Sequence, residues 1–294
     1  MFALKNCNLC PRRCGVDRTV QTGRCKSGAD MKIARAALHF WEEPPLSGTR
    51  GSGTVFFSGC NLGCIYCQNR QISRGDVGRP VSPAALAEVF SALQQEGAHN
   101  INLVTPTHFM PPIAESVALY RAAGGKLPIV YNTSGYELPE AIEALRGTVD
   151  IYLTDLKYAD GDTAARYSFA ADYPQVAKAA LKAMVETVGA PCFDADGMLQ
   201  AGVIVRLLVL PYAEHEAMMN LKWLKEQFGD QIIISLMNQY TPVGEDLPAA
   251  LRQPLAAAAY QTVVDYARTL NFKTTYIQEG ETAKESFIPP FETK

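Results

Sequence analysis

The sequence predicts an α/β protein built as a partial (β/α)6 barrel with a small cysteine-rich N-terminal extension. From residue 54 onward, short apolar runs alternate with longer helical patterns, as βα units of a parallel sheet do. The run at 203–210 is almost continuously hydrophobic, as expected of a strand covered on both faces. With 294 residues, 48% of them hydrophobic and 19% charged, the chain can bury one substantial core.

Residues 1–49 read as a cysteine-rich metal-binding extension and linker, 50–245 as the core, and 246–294 as a C-terminal helix and tail packing on the barrel. Cys7, Cys10, Cys14 and Cys25 stand as Cys-x2-Cys-x3-Cys-x10-Cys, with Pro11, Gly15 and Gly23 as turn punctuation. Four soft ligands in so loop-rich a segment suit either a tetrahedral zinc or an auxiliary iron–sulfur cluster. A stretch so poor in apolar residues has little core of its own to fold around. Residues 26–53 link it to the core. Within them Pro44-Pro45 predicts an extended, surface-hugging segment, with Glu42 and Glu43 solvated or facing a partner. Gly48, Gly51 and Gly53 lack the Gly-Lys-Ser/Thr ending of a phosphate-binding loop.

Strands are predicted near 54–57, 101–104, 128–131, 149–155, 203–210 and 232–236, with an extra one at 274–277. Helical patterns fill 82–96, 111–123, 137–146, 174–188, 213–228 and 248–270. Ser82-Pro83 and Pro248 mark helix starts, with proline tolerated in the first turn. The stretch 190–202 reads as a loop or short hairpin. Cys192, His99 and His215 lack partners at a useful spacing, and the helix bearing Met218 and Trp223 reads as a core-packing surface.

The net charge of −3 is unevenly spread. Residues 1–35 hold eight Lys/Arg against Asp17 and Asp30, a local +6 that leaves −9 for the rest. Cations beside cysteines offset thiolate charge and lower thiol pKa, and the patch has no interleaved aromatics, which argues against nucleic acid. No apolar stretch is long enough to span a bilayer and the opening residues lack a signal peptide's apolar run, so a cytoplasmic protein without membrane contact is expected. In that reducing compartment eight cysteines point to metal ligation rather than disulfides.

The segment from Gly59 to Asn69 follows an apolar run, 55–57, and carries Cys60, Cys64 and Cys67 as Cys-x3-Cys-x2-Cys. Three thiols so spaced on a loop after a strand converge on one soft-metal site. No Cys or His follows before His99, so the set is one protein ligand short.

With Tyr66 in the aromatic slot before the third cysteine, the segment resembles the radical S-adenosylmethionine (SAM) superfamily. Its wider context resembles proteins similar to the pyruvate formate-lyase activating enzyme. The resemblance implies that Cys60, Cys64 and Cys67 hold three irons of a [4Fe-4S] cluster. It implies that the amino and carboxylate groups of SAM chelate the fourth iron, and that Tyr66 lies near the adenine. It also implies the partial barrel, with chemistry at the C-terminal strand ends.

Those strand ends carry the remaining candidates. Thr105-Pro106-Thr107-His108 stands where the activating-enzyme relatives carry a Gly-Gly-Glu motif that holds the SAM amino group. Thr105 and Thr107 can supply replacement oxygens, and His108 is either a satisfied loop histidine or a catalytic acid or base. Asn132-Thr133-Ser134-Gly135 resembles the family's segment beside the SAM methionine, and equally reads as a plain turn. Asp155 and Lys157, two apart, share one face of an extended strand and match an Asp-x-Lys motif that contacts SAM in the relatives. Arg206, a lone guanidinium in an apolar strand, needs a carboxylate or ligand partner, and the family's equivalent arginine binds SAM. Gln239 and Tyr240 stand at the end of the sixth strand.

The expected activity is reductive cleavage of SAM at the cluster to a 5′-deoxyadenosyl radical that abstracts hydrogen from a substrate at the barrel mouth. The resemblance implies a one-electron donor such as flavodoxin or ferredoxin, and a glycine on a glycyl-radical enzyme as one possible target. Modification of another peptide or a small molecule is the alternative. A non-catalytic iron–sulfur electron-transfer protein ranks below both, because an electron carrier wants full cysteine ligation.

Overall fold

The computed structural model describes residues 4–75, 77–243 and 247–280. Its first strands are β1 (Lys32–His39), β2 (Ser52–Phe57) and the two-residue β3 (Arg79–Pro80). β4 (Ile101–Val104), β5 (Ile129–Thr133) and β6 (Ile151–Asp155) follow, then β7 (Cys192–Phe193), β8 (Leu199–Leu208), β9 (Ile233–Met237) and β10 (Thr275–Ile277). They make one sheet in the order β10-β9-β8-β6-β5-β4-β2-β1-β3, with β7 pairing to β8 off this path. From β2 to β10 every neighbour on the path is parallel, while β1 runs antiparallel to β2 and to β3. The two end strands do not pair with each other, so the α/β barrel is open.

The period of two along each strand decides what each face meets. Ile101 and Leu103 of β4 pack with Phe90 and Tyr120, which belong to helices Pro83–Gln95 and Met110–Ala122. Tyr152, Val205 and Leu236 pack with Leu181 and Leu221 of helices Tyr173–Val188 and Glu214–Phe228. The alternate residues, Val130, Leu153, Ile204 and Ile233, turn to the other face and enclose Leu46. That side chain is fully buried, which stabilises the fold by roughly 1.5–3 kcal/mol.

Leu46 comes from a segment whose prediction the structure corrects. Pro44 and Pro45 open a short helical turn, Pro44–Ser47, rather than an extended surface stretch. Proline lacks the N–H that a first helical turn leaves unpaired, so the pair is suited to that position. The turn plugs the hollow of the sheet. Glu42 reaches Asn102 on β4 and Arg206 on β8, strands separated by β5 and β6, so Glu43 is buried, Glu42 is half-buried, and both carboxylates are paired within the fold.

β1 is a second correction, because residues 32–39 read as linker in the 1–49 extension yet add a strand to the sheet. Its alanines and charged residues give weak β-propensity, and pairing with β2, down to His39 opposite Ser52, overrides it. The pattern at 248–270 divides into a 3-10 turn, Ala249–Leu251, and a helix, Ala257–Thr269, with Pro254 between them. The helix expected at 137–146 is only Pro139–Glu143, and an unpredicted one, Gly161–Ser168, starts where Asp160 accepts the Thr163 N–H. The short hairpin in 190–202 forms between β7 and β8. Residues 281–294 of the expected C-terminal tail lie outside the described residues.

Candidate active site

Cys60, Cys64 and Cys67 lie on the loop leaving β2, half-buried, at the C-terminal end of the parallel strands. The loop is held from several sides. Leu62 donates its N–H to Cys60 Sγ at 3.4 Å, and the Ser168 hydroxyl donates to Cys64 Sγ at 2.9 Å. Behind Ser168 a chain of hydroxyls runs to Tyr158 at 2.6 Å and on to Tyr66 at 2.8 Å. The rings of Tyr167 and Tyr240 meet the buried Tyr66 edge-on. Gln68 ties the far end of the loop to the Gln239 carbonyl, so the predicted Gln239 and Tyr240 stand beside the cysteines.

Asp155 ends β6, and its carboxylate pairs with Lys157 Nζ at 2.6 Å. Burial works against the Lys157 charge, but Asp155 and then the Cys64 thiol raise its pKa on balance. The same ammonium is felt at Cys60 and Cys67. Burial, followed by the neighbouring thiols, pushes Cys60 up to about 11 and Cys67 up to about 12. Three thiols on one loop are the soft donor set that an iron–sulfur cluster takes. Among the described residues no three Cys, His, Asp or Glu side chains are drawn tightly around a single ion, and this holds for both cysteine sets.

Gly135 makes the fit between the β5 loop and Asp155 possible. It has φ +78°, and a Cβ there would run into the Asp155 carbonyl oxygen. The Tyr173 hydroxyl lies 2.8 Å from the Ser134 carbonyl and accepts the Lys157 N–H at 3.0 Å, which fixes both loops. Asn132 shares a register row with Val104 and Leu153, so it stands on the inner face, and its carbonyl accepts the Thr105 N–H at 2.8 Å.

The hydroxyls of Thr107 and Thr133 are committed elsewhere. Both donate to Glu137, a buried carboxyl that sequence reading missed. Burial pushes Glu137 up to about 7 against those two donors. A carboxyl raised from an unfolded value of about 4.3 favours the folded state most below that value. The benefit fades as pH rises through 7, a change of roughly 4 kcal/mol. Glu137→Gln is expected to flatten this dependence, so the gap in urea midpoint between pH 5 and pH 8 narrows. Equal pH slopes for the two proteins would contradict the assignment.

His108 is buried beneath the loop, with Nε2 2.8 Å from the Ser58 carbonyl and Nδ1 without a hydrogen-bond partner. Burial pushes it down to about 4, which leaves a neutral, enclosed ring rather than an exposed acid or base. Arg206 finds its carboxylates. Its Nε lies 2.7 Å from Glu43 Oε1, and Nη2 lies 2.7 Å from Glu43 Oε2 and also bonds Glu42. Register places Arg206 beside Asp155, so the ion-paired cluster borders the Asp155–Lys157 pair.

The N-terminal cysteines come to the same end of the molecule. Cys7, Cys10 and Cys25 are buried, Cys14 is half-buried, and burial followed by smaller effects, among them the thiols of Cys25 and Cys7, pushes Cys10 up to about 12. Arg12, another residue that sequence reading missed, donates to the carbonyls of Asn61, Leu62, Ser168 and Phe169. The basic bias of this segment therefore serves in part to clamp backbone. Among the described residues no helix is long and apolar enough to cross a membrane.

Comparison with known proteins places these features. Residues 54–193 match the Radical SAM superfamily, a span that includes Cys60, Cys64, Cys67 and the Asp155–Lys157 pair. An uncharacterized protein of Methanocaldococcus jannaschii is 30% identical over 183 residues, covering 59% of this chain and 52% of that protein. The chain thus spans about half the length of this curated relative. Among solved structures, Streptococcus suis SuiB bound to S-adenosylmethionine superposes with a TM-score of 0.50 at 10% identity, over 76% of this chain and 49% of SuiB. SuiB bound to the precursor peptide SuiA gives 0.50 at 12% identity, over 76% and 47%. At such identities the likeness is one of fold, and it agrees with the open parallel sheet. Residues 54–193 of this chain are thus similar to the Radical SAM superfamily over a span that holds the cysteine loop and the strands β4 to β6.

Proposed function

We propose that the protein is a radical SAM enzyme that abstracts hydrogen from a peptide or protein segment. The observation that carries this reading is the convergence of Cys60, Cys64 and Cys67 with Lys157 and Ser168 at the mouth of an open sheet. When bound, a [4Fe-4S] cluster and SAM supply the one-electron chemistry that yields a 5′-deoxyadenosyl radical. The chain's own residues do the rest. The Lys157 ammonium and the Ser168 hydroxyl offset the negative charge that metal-bound sulfurs carry. Tyr66, Tyr158, Tyr167 and Tyr240 wall the loop with aromatic surface that excludes water from a reactive intermediate. Asp155 holds Lys157 in place, and at the ends of β5 and β4 the Asn132 carbonyl accepts the Thr105 N–H.

The open sheet and the SuiA-bound form of SuiB support a peptide over a small molecule as substrate. Activation of a glycyl-radical enzyme is one form of this chemistry, in which the peptide is a glycine-bearing loop, and a flavodoxin or ferredoxin would supply the electron. Peptides and glycyl-radical proteins deuterated at Cα, incubated with the reconstituted protein, SAM and reductant, are expected to pass deuterium into 5′-deoxyadenosine. Transfer from deuterated small molecules alone would overturn the peptide reading.

A further inference from the structure

The four N-terminal thiols and the radical SAM loop are built as one unit. Three short turns gather the thiols. The Cys7 N–H donates to the Val16 carbonyl and the Gly15 N–H to the Cys7 carbonyl, the Arg13 N–H donates to the Cys10 carbonyl, and the Lys26 N–H donates to the Gly23 carbonyl. Gly23 sits between two of the sulfurs, and a Cβ on it would stand 3.3 Å from Cys14 Sγ and 3.5 Å from Cys25 Sγ. Few apolar side chains in this segment are buried apart from Leu9, so packing supplies little of the energy that holds these turns. Ligation by thiolate is a source of folding energy in segments of this kind.

The same turns touch the loop that carries Cys60. The Cys60 N–H donates to the Cys25 carbonyl at 3.1 Å, and the Ser27 hydroxyl donates to the Ser58 carbonyl at 3.3 Å. Gly59, between them, has φ +91°, and a Cβ there would stand 2.5 Å from the Cys25 oxygen and collide with Ser27 Oγ. Only a residue without a Cβ permits this approach. Arg12, between Cys10 and Cys14, reaches the carbonyls of Asn61 and Leu62 on the other side of Cys60. The backbone on both sides of the first cluster cysteine is thus hydrogen-bonded to the segment that holds the four thiols.

We propose that Cys7, Cys10, Cys14 and Cys25 hold a second thiolate-bound metal centre, zinc or an iron–sulfur cluster, and that its loading fixes the loop carrying Cys60. The metal site stands independently of catalysis, while its effect on the loop rests on the reading of Cys60, Cys64 and Cys67 as cluster ligands. Two variants of the full chain, purified without oxygen, separate these parts. A Cys60→Ala/Cys64→Ala/Cys67→Ala triple variant keeps only the N-terminal set and is expected to retain about one zinc, or about four iron with matching sulfide, per chain. Zinc and iron distinguish the two forms of the centre, and a triple variant with neither metal overturns the site. Cys14→Ala alters the least enclosed of the four thiols. It is expected to lose the second metal, and to lose iron from the remaining cluster about tenfold faster under a chelator, with an unchanged far-ultraviolet circular dichroism spectrum. Loss of the second metal with no change in chelation rate overturns the coupling. Full retention of both metals overturns Cys14 as a ligand.

Discussion

Replacing Arg206 by alanine is expected to destabilise the protein by about 3–5 kcal/mol at pH 7, because it strands two carboxylates in the hollow of the sheet. Glu42 and Glu43 are each less than a tenth exposed, and Arg206 accounts for most of their ionic partners. Burial alone would raise the Glu43 pKa, yet the Arg206 guanidinium brings it below its ordinary value. In the wild-type protein that lowered pKa contributes stability above the unfolded value near 4.3, and the contribution is lost as pH falls. Without Arg206 the sign reverses. Burial then raises the Glu43 carboxyl, the folded state is favoured at low pH, and the deficit grows as pH rises. Urea unfolding of Arg206→Ala at pH 5 and pH 7 is therefore expected to show the larger loss at pH 7. A Glu42→Gln/Glu43→Gln/Arg206→Met triple variant, which removes the charges together, is expected to stay within about 2 kcal/mol of wild type. A loss below about 1 kcal/mol for Arg206→Ala at pH 7 would show that water solvates the cluster.

Cys64→Ala is expected to abolish the reduced-state electron paramagnetic resonance signal that SAM perturbs. The loop after β2 has three thiols in all, and Cys64 is the one that both Ser168 and Lys157 address. Ser168→Ala offers a graded companion. It removes the hydroxyl donated to Cys64 Sγ and is expected to weaken cluster retention by about 10- to 100-fold, as loss of a ligand-supporting contact typically does. Comparing chelator-driven loss of the cluster in the two variants checks the ranking. A Cys64→Ala protein with an intact SAM-sensitive signal would contradict the ligand assignment.

The position of the cysteine loop was legible because it is local in sequence: three thiols and an aromatic within eight residues follow directly on the apolar strand β2. The parallel strands were legible for a similar reason, since continuous apolar runs have few alternative destinations. What was not legible depends on distant pairings. β1 is alanine-rich and weakly β-forming, and only its partner β2 makes it a strand. Glu42 and Glu43 carry no local sign of burial, because the residue that neutralises them lies more than 160 positions away. The unmatched charge of Arg206 was the available signal, since it called for a carboxylate without saying which. Glu137 was hidden for the same reason. Its hydroxyl donors, Thr107 and Thr133, were read as facing the cofactor because each stands at a strand end, and side-chain direction there is set by the turn.

The proposed cleavage of SAM at a cluster held by Cys60, Cys64 and Cys67 has a direct test. Protein reconstituted anaerobically with iron and sulfide, then given dithionite and SAM, should release 5′-deoxyadenosine, and a Cys60→Ala control should release none. Equal release from both proteins would contradict the claim. So would a cluster-bearing wild-type protein that forms no product and whose reduced spectrum SAM leaves unchanged.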